Sequence, residues 1–157
     1  MVIGVFDDVI KNPDEYVKDI LNKEFVDIDD GPDKVFKGIQ LRDNDEFAEF
    51  AEKLFPRYSI VYNFVRQSPL HQVEPNFIHS DDMMGDKTML LYLNKYYPQK
   101  AGTTIYDNNL LESCIVKMKY NRVFTFDSHY KHSRNIIDNF GEKENSRLVQ
   151  VIFLKLK

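Results

Sequence analysis

The sequence predicts a mainly β domain with helices at its N-terminal end. From residue 58 onward, runs of apolar, β-branched and aromatic residues alternate with clusters of Gly, Pro, Asn and Asp, which is typical of strands separated by turns. Before residue 58, apolar residues recur twice at helical spacing. At 157 residues the chain is most simply one domain, 1–157. In this organisation residues 1–57 form a helical buttress with an edge strand, and residues 58–157 form the β core.

The first two predicted elements are a strand and a helix. Val2–Val9 is a short apolar stretch that suits an edge strand. Asn12 is a good N-cap residue, and Pro13 suits the first position of a helix. Apolar residues then recur at helical spacing, so we expect the helix to continue to about Asn22.

The next segment is predicted to contain a turn and a second helix. Asp27–Lys34, which includes a Gly-Pro pair, is interpreted as a polar turn. Asp45–Phe55 has an apolar stripe at helical spacing, and Pro56 ends it. We expect both helices to cover one face of a sheet.

The strands of the β core are predicted from six apolar and β-branched runs. These runs are Ser59–Arg66, Thr88–Asn94, Thr103–Asp107, Ser113–Met118, Asn121–Phe126 and Arg147–Leu156. Together they indicate a unit of six to eight strands.

Composition excludes several classes of protein. The single cysteine, Cys114, cannot form an internal disulfide. No window approaches the ~18 apolar residues of a membrane span, and the N-terminus lacks the pattern of a signal peptide. A net charge of −4 makes nucleic-acid binding an unfavoured function. We therefore expect a soluble, cytoplasmic protein without a membrane partner.

His79 and Asp81 form the first part of a predicted metal site. In an extended strand, residues i and i+2 project to the same face, so this pair can present an imidazole nitrogen and a carboxylate oxygen to one ion. Asp82 is an alternative carboxylate, but its position in a strand is opposite in parity to that of His79. A His-x-Asp triplet alone is a weak signal.

A second histidine is expected from the end of a later strand. Asn121–Phe126 is followed by the turn signal Asp127-Ser128, and His132 comes after that turn. His129 is the alternative, and we interpret it as a solvated or supporting residue. Two imidazoles and one carboxylate are the donor set of a non-haem iron(II) site that leaves positions open for substrate and dioxygen.

Arg147 begins the last predicted strand on an apolar face. Alternation places it with Val149, Val151 and Phe153. A buried arginine keeps its charge and needs an anionic partner, and its planar fork matches a carboxylate. An internal ion pair or a solvent-facing position is the structural alternative. Beside the predicted metal site, we favour a clamp for a dicarboxylate cosubstrate.

These residues together resemble the iron(II)- and 2-oxoglutarate-dependent dioxygenases. The family has His-x-Asp, a His about fifty residues later, and an Arg some ten to fifteen residues beyond. Here the corresponding residues are His79, Asp81, His132 and Arg147.

Two intervening segments are similar to the prolyl-hydroxylase-like branch of this family. Thr88–Asn94 followed by Ala101–Tyr106 resembles its "YLN…GGT" stretch. Asn121–Ser128 resembles its "R-x-x-x-F-D-S" approach to the second histidine. The resemblance covers about residues 60 to 156, and it is specific in combination although each motif is loose.

The resemblance implies a fold and a reaction. The fold is a double-stranded β-helix, a jelly-roll related to the cupins, with the N-terminal helices against its larger sheet. The expected activity is that of an iron(II)- and 2-oxoglutarate-dependent oxygenase, which hydroxylates an unactivated C–H bond and releases succinate and CO2. His79, Asp81 and His132 would be the metal ligands, and Arg147 would hold the far carboxylate of 2-oxoglutarate.

The sequence departs from the family pattern at two positions. Ala101 replaces the first glycine of the usual pair, and Val149 replaces a hydroxyl residue that is often found two positions after the arginine. A second hydrogen bond to the cosubstrate would then come from another residue, with Tyr62 and Tyr92 as candidates. A buried tyrosine is also commonly a core residue with a satisfied hydroxyl.

Two other functions compete with this one. A cupin-like metal enzyme that does not use 2-oxoglutarate would keep the three ligands and make Arg147 structural. A metal-free β-sandwich binding module would leave His79 and His132 at the surface. A peptide, an amino acid or a small molecule is the favoured substrate class, with Met83–Lys87 and Gln67–Pro75 as lids. The sequence indicates no oligomeric state.

Overall fold

A computed structural model of the chain describes residues 2–32, 35–74, 77–135 and 138–157. The helices are α1 (Pro13–Leu21) and α2 (Glu46–Leu54), with a 3-10 turn at Lys143–Asn145. The strands are β1 (Ile3–Asp7), β2 (Val26–Asp29), β3 (Val35–Leu41), β4 (Tyr58–Ser68), β5 (Lys87–Tyr92), β6 (Gly102–Tyr106), β7 (Glu112–Lys117), β8 (Arg122–Asp127), β9 (Lys131–Arg134) and β10 (Arg147–Leu156). The mainly β prediction is therefore confirmed.

The strands form two antiparallel sheets. The larger sheet has seven strands in the order β1-β8-β5-β10-β4-β3-β2, and the smaller has three in the order β7-β6-β9. An apolar cluster joins them, in which Phe124 and Val149 of the larger sheet pack with Ile105 and Val116 of the smaller one. The space between the sheets is thus closed at its centre by buried side chains.

The last strand, β10, contributes its two faces to different cores. Leu148 and Ile152 belong to the core on the helix side, whereas Val149 and Val151 belong to the core between the sheets. Because side chains alternate along a strand, Arg147 shares the face of Val149. The predicted clamp residue therefore lies on the face that points toward the smaller sheet.

The two helices cover the outer face of the larger sheet, as predicted. Ile20 of α1 and Phe47 and Ala51 of α2 are fully buried against Leu91 and Ile152. Asp45 caps α2, since its carboxylate accepts a hydrogen bond from the Ala48 N–H at 3.0 Å. Removing this apolar area from water stabilises the fold on the side away from the predicted site.

A buried polar network crosses the helix side. Gln150 donates to Asn63 Oδ1 at 2.7 Å and to Asp45 Oδ2 at 2.9 Å. Its own carbonyl accepts from the Tyr16 hydroxyl at 2.6 Å, and burial raises the pKa of that phenol above its ordinary range. The network is fully hydrogen-bonded, which is what a buried amide requires.

Two details of the N-terminal prediction were wrong. Asn12 precedes α1 but its side chain forms no capping hydrogen bond. The proposed turn at 27–34 begins too early, because residues 27–29 belong to β2. Residues 30–32 lie in the connection between β2 and β3, which form a hairpin at the edge of the larger sheet, and Asp33 and Lys34 lie outside the described residues. Polar residues in β2 are tolerated because an edge strand is open to water.

The strand β9 was also missed by sequence analysis. Its four residues, Lys131–Arg134, include no apolar residue, yet it pairs along its length with β6. Tertiary pairing therefore overrides local propensity here.

Within the described residues, no helix has both the length and the apolar character needed to cross a membrane.

Candidate metal centre

Backbone pairing brings His79 and His132 together. The two residues exchange hydrogen bonds as an antiparallel bridge, with N···O distances of 3.0 Å and 2.8 Å. Two residues later, the Asp81 N–H donates to the Ser128 carbonyl at 2.8 Å. The segment 79–81 is therefore extended beside β9 and the end of β8, as its His-x-Asp spacing predicted.

The three predicted ligands converge on one point. His132 Nε2 lies 3.1 Å from Asp81 Oδ2, and His79 Nε2 lies 3.4 Å from Asp81 Oδ1. One ligand atom from each residue lies within 4.8 Å of the others. Two imidazole nitrogens and a carboxylate oxygen at this spacing can hold one divalent transition metal.

The backbone fixes which nitrogen each histidine presents. His79 Nδ1 lies 2.9 Å from the Phe77 carbonyl, and His132 Nδ1 lies 3.0 Å from the Tyr130 carbonyl. A carbonyl only accepts hydrogen bonds, so the proton of each neutral ring lies on Nδ1. Each Nε2 faces Asp81, to which it donates when the ring is protonated, and in the neutral ring it would present a lone pair to a metal, which is the arrangement of metal-binding histidines.

Asp81 is held as an oriented carboxylate. Thr88 donates from Oγ1 to Asp81 Oδ2 at 3.3 Å, and the Thr88 and Ser128 hydroxyls lie 2.9 Å apart. Burial alone would raise the pKa of Asp81, but hydrogen bonds from His132 and His79 outweigh it and lower the pKa below its ordinary value. The hydrogen bond with Asp81 raises the pKa of His79.

The two alternative ligands lie outside this group. Asp82 accepts a hydrogen bond from the Ser80 hydroxyl at 2.9 Å. The His129 ring packs edge-on against Tyr130, with ring centroids 4.6 Å apart. Neither residue belongs to the His79, Asp81 and His132 group.

Arg147 is partly buried at the start of β10 and faces the space between the sheets. Among the residues that the structure describes, none forms a hydrogen bond or ion pair with its guanidinium. Burial lowers the pKa of Arg147 to about 10, and the nearby charge of Arg134 lowers it as well. The group remains charged at neutral pH, so its position favours an external anion.

The two candidate tyrosines occupy different places. Tyr92 pairs with Val149 on β10, is fully buried, and places its hydroxyl 2.6 Å from Thr103 Oγ1. Tyr62 instead pairs with Phe153, six residues along β10 from Arg147, which corresponds to roughly 20 Å. The structure therefore brings Tyr92 near Arg147 and places Tyr62 at the other end of the strand.

Sequence analysis overlooked three charged residues beside Arg147. The charges of Arg134 and Arg66 lower the pKa of Arg147, and the charge of Glu74 raises it. We call these four residues the arginine cluster. Arg134 could have been found from alternation, because it follows the predicted ligand His132 by two residues. That alternation depends on residues 131–134 being a strand, and these residues contain no apolar side chain that would indicate one.

The structure describes most residues of the two predicted lids. In the first, Met83 is 96% exposed and lies directly after the metal-site segment. In the second, Gln67 and Ser68 belong to β4, and Pro75 lies outside the described residues. Phe77, which is 59% exposed, packs its ring against His79 with centroids 5.2 Å apart. Exposed apolar side chains therefore border the centre.

Comparison with solved structures identifies the architecture. A viral collagen prolyl hydroxylase from Paramecium Bursaria Chlorella virus-1 matches with a TM-score of 0.67 and 10% identity, over 100% of this chain and 91% of that one. A non-heme alpha ketoglutarate dependent epimerase, SnoN from nogalamycin biosynthesis, matches with a TM-score of 0.65 and 13% identity, over 96% and 76%. The chain has the fold of these proteins.

A third structure extends the comparison. An oxidoreductase of the 2OG-Fe(II) oxygenase family from Burkholderia pseudomallei matches with a TM-score of 0.60 and 12% identity, over 97% of this chain and 84% of that one. No family model matches the sequence, and no curated protein matches it. The resemblance stated from the sequence is thus confirmed in the fold.

Proposed function

We propose that this chain is an iron(II)- and 2-oxoglutarate-dependent oxygenase built on a double-stranded β-helix. The observation that carries the proposal is the convergence of His79, Asp81 and His132, with both histidines presenting Nε2. The fold shared with structures of 2-oxoglutarate oxygenases supports it.

The residues fit the proposed metal and cosubstrate. The donor set suits iron(II) and leaves coordination positions open. Arg147 lies on the face between the sheets without a partner among the described residues, as expected of a group that binds a cosubstrate carboxylate. A cupin-like enzyme without 2-oxoglutarate would leave this charge unexplained.

The protein's contribution to catalysis is positioning and exclusion of water. When bound, iron(II), 2-oxoglutarate and dioxygen supply the oxidising chemistry for an unactivated C–H bond. Thr88 orients the Asp81 carboxylate, and the Phe77 and Tyr130 carbonyls orient the two imidazoles. Phe126 packs edge-on against His132 with ring centroids 4.7 Å apart, which limits access of water from the core side.

The proposed substrate is a peptide, an amino acid or a small molecule rather than a nucleic acid. The net charge of −4 supports the exclusion of nucleic acid. Exposed Phe77, Met83 and Met84 border the centre and favour a substrate with apolar surface.

The test is metal content and turnover of the cosubstrate. The anaerobic protein should bind one equivalent of iron(II), and under oxygen it should convert 2-oxoglutarate to succinate. His79→Ala and Asp81→Ala should abolish stoichiometric iron binding and succinate formation. Arg147→Ala should keep the metal and weaken cosubstrate binding severely. Unchanged iron affinity in the first two variants would refute the ligand assignment.

Metal binding without succinate formation would favour the cupin-like alternative. Absence of metal binding would favour the β-sandwich module. His129→Ala is the matched control, because this histidine lies outside the ligand group and should leave iron binding unchanged.

A further inference from the structure

The position of Arg134 extends the proposed cosubstrate site. Along β9, His132 pairs with Ile105 and Arg134 pairs with Thr103, so both residues lie on the same face of the smaller sheet. Ile105 is a core residue between the sheets, which identifies that face as the inner one. Arg134 therefore projects into the same space as the candidate metal ligand.

Arg147 reaches this space from the opposite sheet. It is paired with Ser68 on β4 and lies on the face of Val149, which packs in the core between the sheets. Arg134 is the strongest charge acting on Arg147. Two guanidinium groups thus project from facing sheets into one space, where their like charges repel each other.

The arginine cluster carries more positive than negative charge. Arg66 and Arg134 join Arg147 there, and Glu74 is the one acidic member of the cluster. Glu74 is already engaged, since Oε1 lies 2.8 Å from Arg66 Nε and Oε2 accepts from Asn139 at 2.6 Å. The four side chains together carry a formal net charge of +2, which makes this a favourable environment for an anion.

A buried hydroxyl near the cluster also lacks a well-formed bond. Ser68 Oγ is fully buried opposite Arg147, lies beside Glu74, and forms no hydrogen bond of good geometry with a described residue. A buried hydroxyl with a poorly aligned contact gains stability from a better-placed partner. Its position beside Arg147 fits a pocket that is completed by a polar ligand.

The spacing from the metal ligand suits 2-oxoglutarate. Arg134 follows His132 by two residues, which places its Cα roughly 7 Å further along the strand. The five-carbon backbone of 2-oxoglutarate spans about 5 Å, given C–C bonds of about 1.5 Å. A molecule that is bound by its keto-acid end near His132 would therefore extend toward Arg134.

We propose that Arg134 is a second anchor for the distal carboxylate of 2-oxoglutarate, acting with Arg147 from the facing sheet. The inference rests on the proposed function. It supplies the additional donor that is needed where Val149 replaces a hydroxyl residue. Arg134 also donates from Nη1 to Asn139 Oδ1 at 2.7 Å. A guanidinium has five N–H donors, so this contact is compatible with carboxylate binding.

The anchor role makes a specific prediction about selectivity. The distal carboxylate distinguishes 2-oxoglutarate from 2-oxopentanoate, which has the same keto-acid end and carbon number but ends in a methyl group. Arg134→Gln should weaken binding of 2-oxoglutarate by about 10- to 100-fold, the loss expected for a charged hydrogen bond. It should leave the affinity for 2-oxopentanoate unchanged.

Calorimetric titration of the manganese(II)-loaded protein with each oxo acid measures this without turnover. Arg134→Lys keeps the charge and should retain part of the preference for 2-oxoglutarate. Asn139→Ala breaks the contact with Arg134 but keeps its guanidinium, so it should cost less than about threefold in affinity. Arg57→Gln, at an exposed arginine, removes the same formal charge and should have no effect.

The outcomes separate this inference from the proposed function. If the loaded wild-type protein does not bind 2-oxoglutarate, the proposed function fails. If the wild type binds it and Arg147→Gln weakens binding while Arg134→Gln does not, the anchor role of Arg134 alone fails. Equal losses in Arg134→Gln and Asn139→Ala, or equal losses for both oxo acids, would assign Arg134 a structural role and overturn the proposal.

Discussion

The polar side chains on the two faces of β10 differ in their hydrogen bonding. On the helix side, Gln150 is fully buried and every polar atom of its amide has a partner in Tyr16, Asp45 or Asn63. On the other side, Arg147 has no hydrogen-bonding partner among the described residues. The same strand thus contributes a completed network to the fold and an incomplete one to the candidate site.

This difference predicts that residues on one face of β10 determine stability and residues on the other determine ligand binding. A satisfied buried network favours one packing arrangement, whereas an unpartnered charge costs free energy that a bound ligand can restore. We therefore expect variants on the helix side to change the free energy of unfolding. Variants on the inner side should change ligand binding with little loss of stability.

The largest effect is expected from the apolar core on the helix side. Leu148→Ala removes a fully buried side chain and should lower the free energy of unfolding by about 2–5 kcal/mol. Urea unfolding of the metal-free protein measures this change. At temperatures where the variant stays folded, it should still bind one equivalent of iron(II).

Leu156→Ala is the matched control for this comparison. Leu156 is 53% exposed at the end of the same strand, so its truncation should change the free energy of unfolding by much less. A loss of iron binding in folded Leu148→Ala would show that the two faces of β10 are energetically coupled.

The polar network on the helix side should give a smaller loss. Gln150→Leu keeps a similar volume but removes one hydrogen bond from Asp45 Oδ2 and one from Asn63 Oδ1, which should cost about 1–3 kcal/mol in the free energy of unfolding. Tyr16→Phe removes one hydrogen bond of the same network and should cost about 1 kcal/mol. Equal stability of Gln150→Leu and the wild type in urea would contradict the importance of this network.

How much of this was predictable depended on where each residue lies. The helices, the strands β4 to β8 and β10, and the three candidate ligands followed from periodicity and spacing, because a buried face imposes alternation on the sequence. The strands β2, β3 and β9 did not, since β2 and β3 form a largely exposed hairpin at the edge of the larger sheet and β9 is held by pairing with β6 rather than by apolar residues. The cluster around Arg147 combines residues from β4, β9, β10 and a loop, and no local pattern predicts such an assembly.

Replacing Arg147 should have the opposite pattern of effects to replacing Gln150, with little change in stability and a loss of ligand binding. Arg147→Met replaces a partly buried charge with an apolar side chain of similar length, so the metal-free protein should be as stable as the wild type or up to about 1 kcal/mol more stable. The same variant should bind 2-oxoglutarate at least about tenfold more weakly when loaded with manganese(II). Thermal unfolding and calorimetric titration measure the two effects.

A clear destabilisation in Arg147→Met would mean that this arginine has a structural partner. It would then resemble Gln150, and the contrast between the two faces of β10 would be lost. Arg57→Met, at an exposed arginine, controls for the change in net charge.

The smallest effect is expected at a paired arginine near the surface. Arg122 donates to both carboxylate oxygens of Asp7, at 2.6 Å and 3.1 Å, and so joins β8 to β1. Hydrogen bonding with Arg122 lowers the pKa of Asp7 to about 2, although burial opposes the shift. Because the pair is partly exposed, Asp7→Asn should cost less than about 1 kcal/mol near neutral pH.

The sign of the pH dependence follows from the lowered pKa of Asp7. A carboxylate with a lower pKa in the folded state stabilises the protein above its unfolded pKa of 3.8, and this contribution is lost as the pH falls through about 2. The difference in stability between wild type and Asp7→Asn should therefore be constant above about pH 5 and shrink below pH 4. Urea unfolding across this range measures it. A difference that grows on acidification would contradict the pairing of Arg122 with Asp7, and Arg122 would then resemble Arg147 in lacking an internal partner.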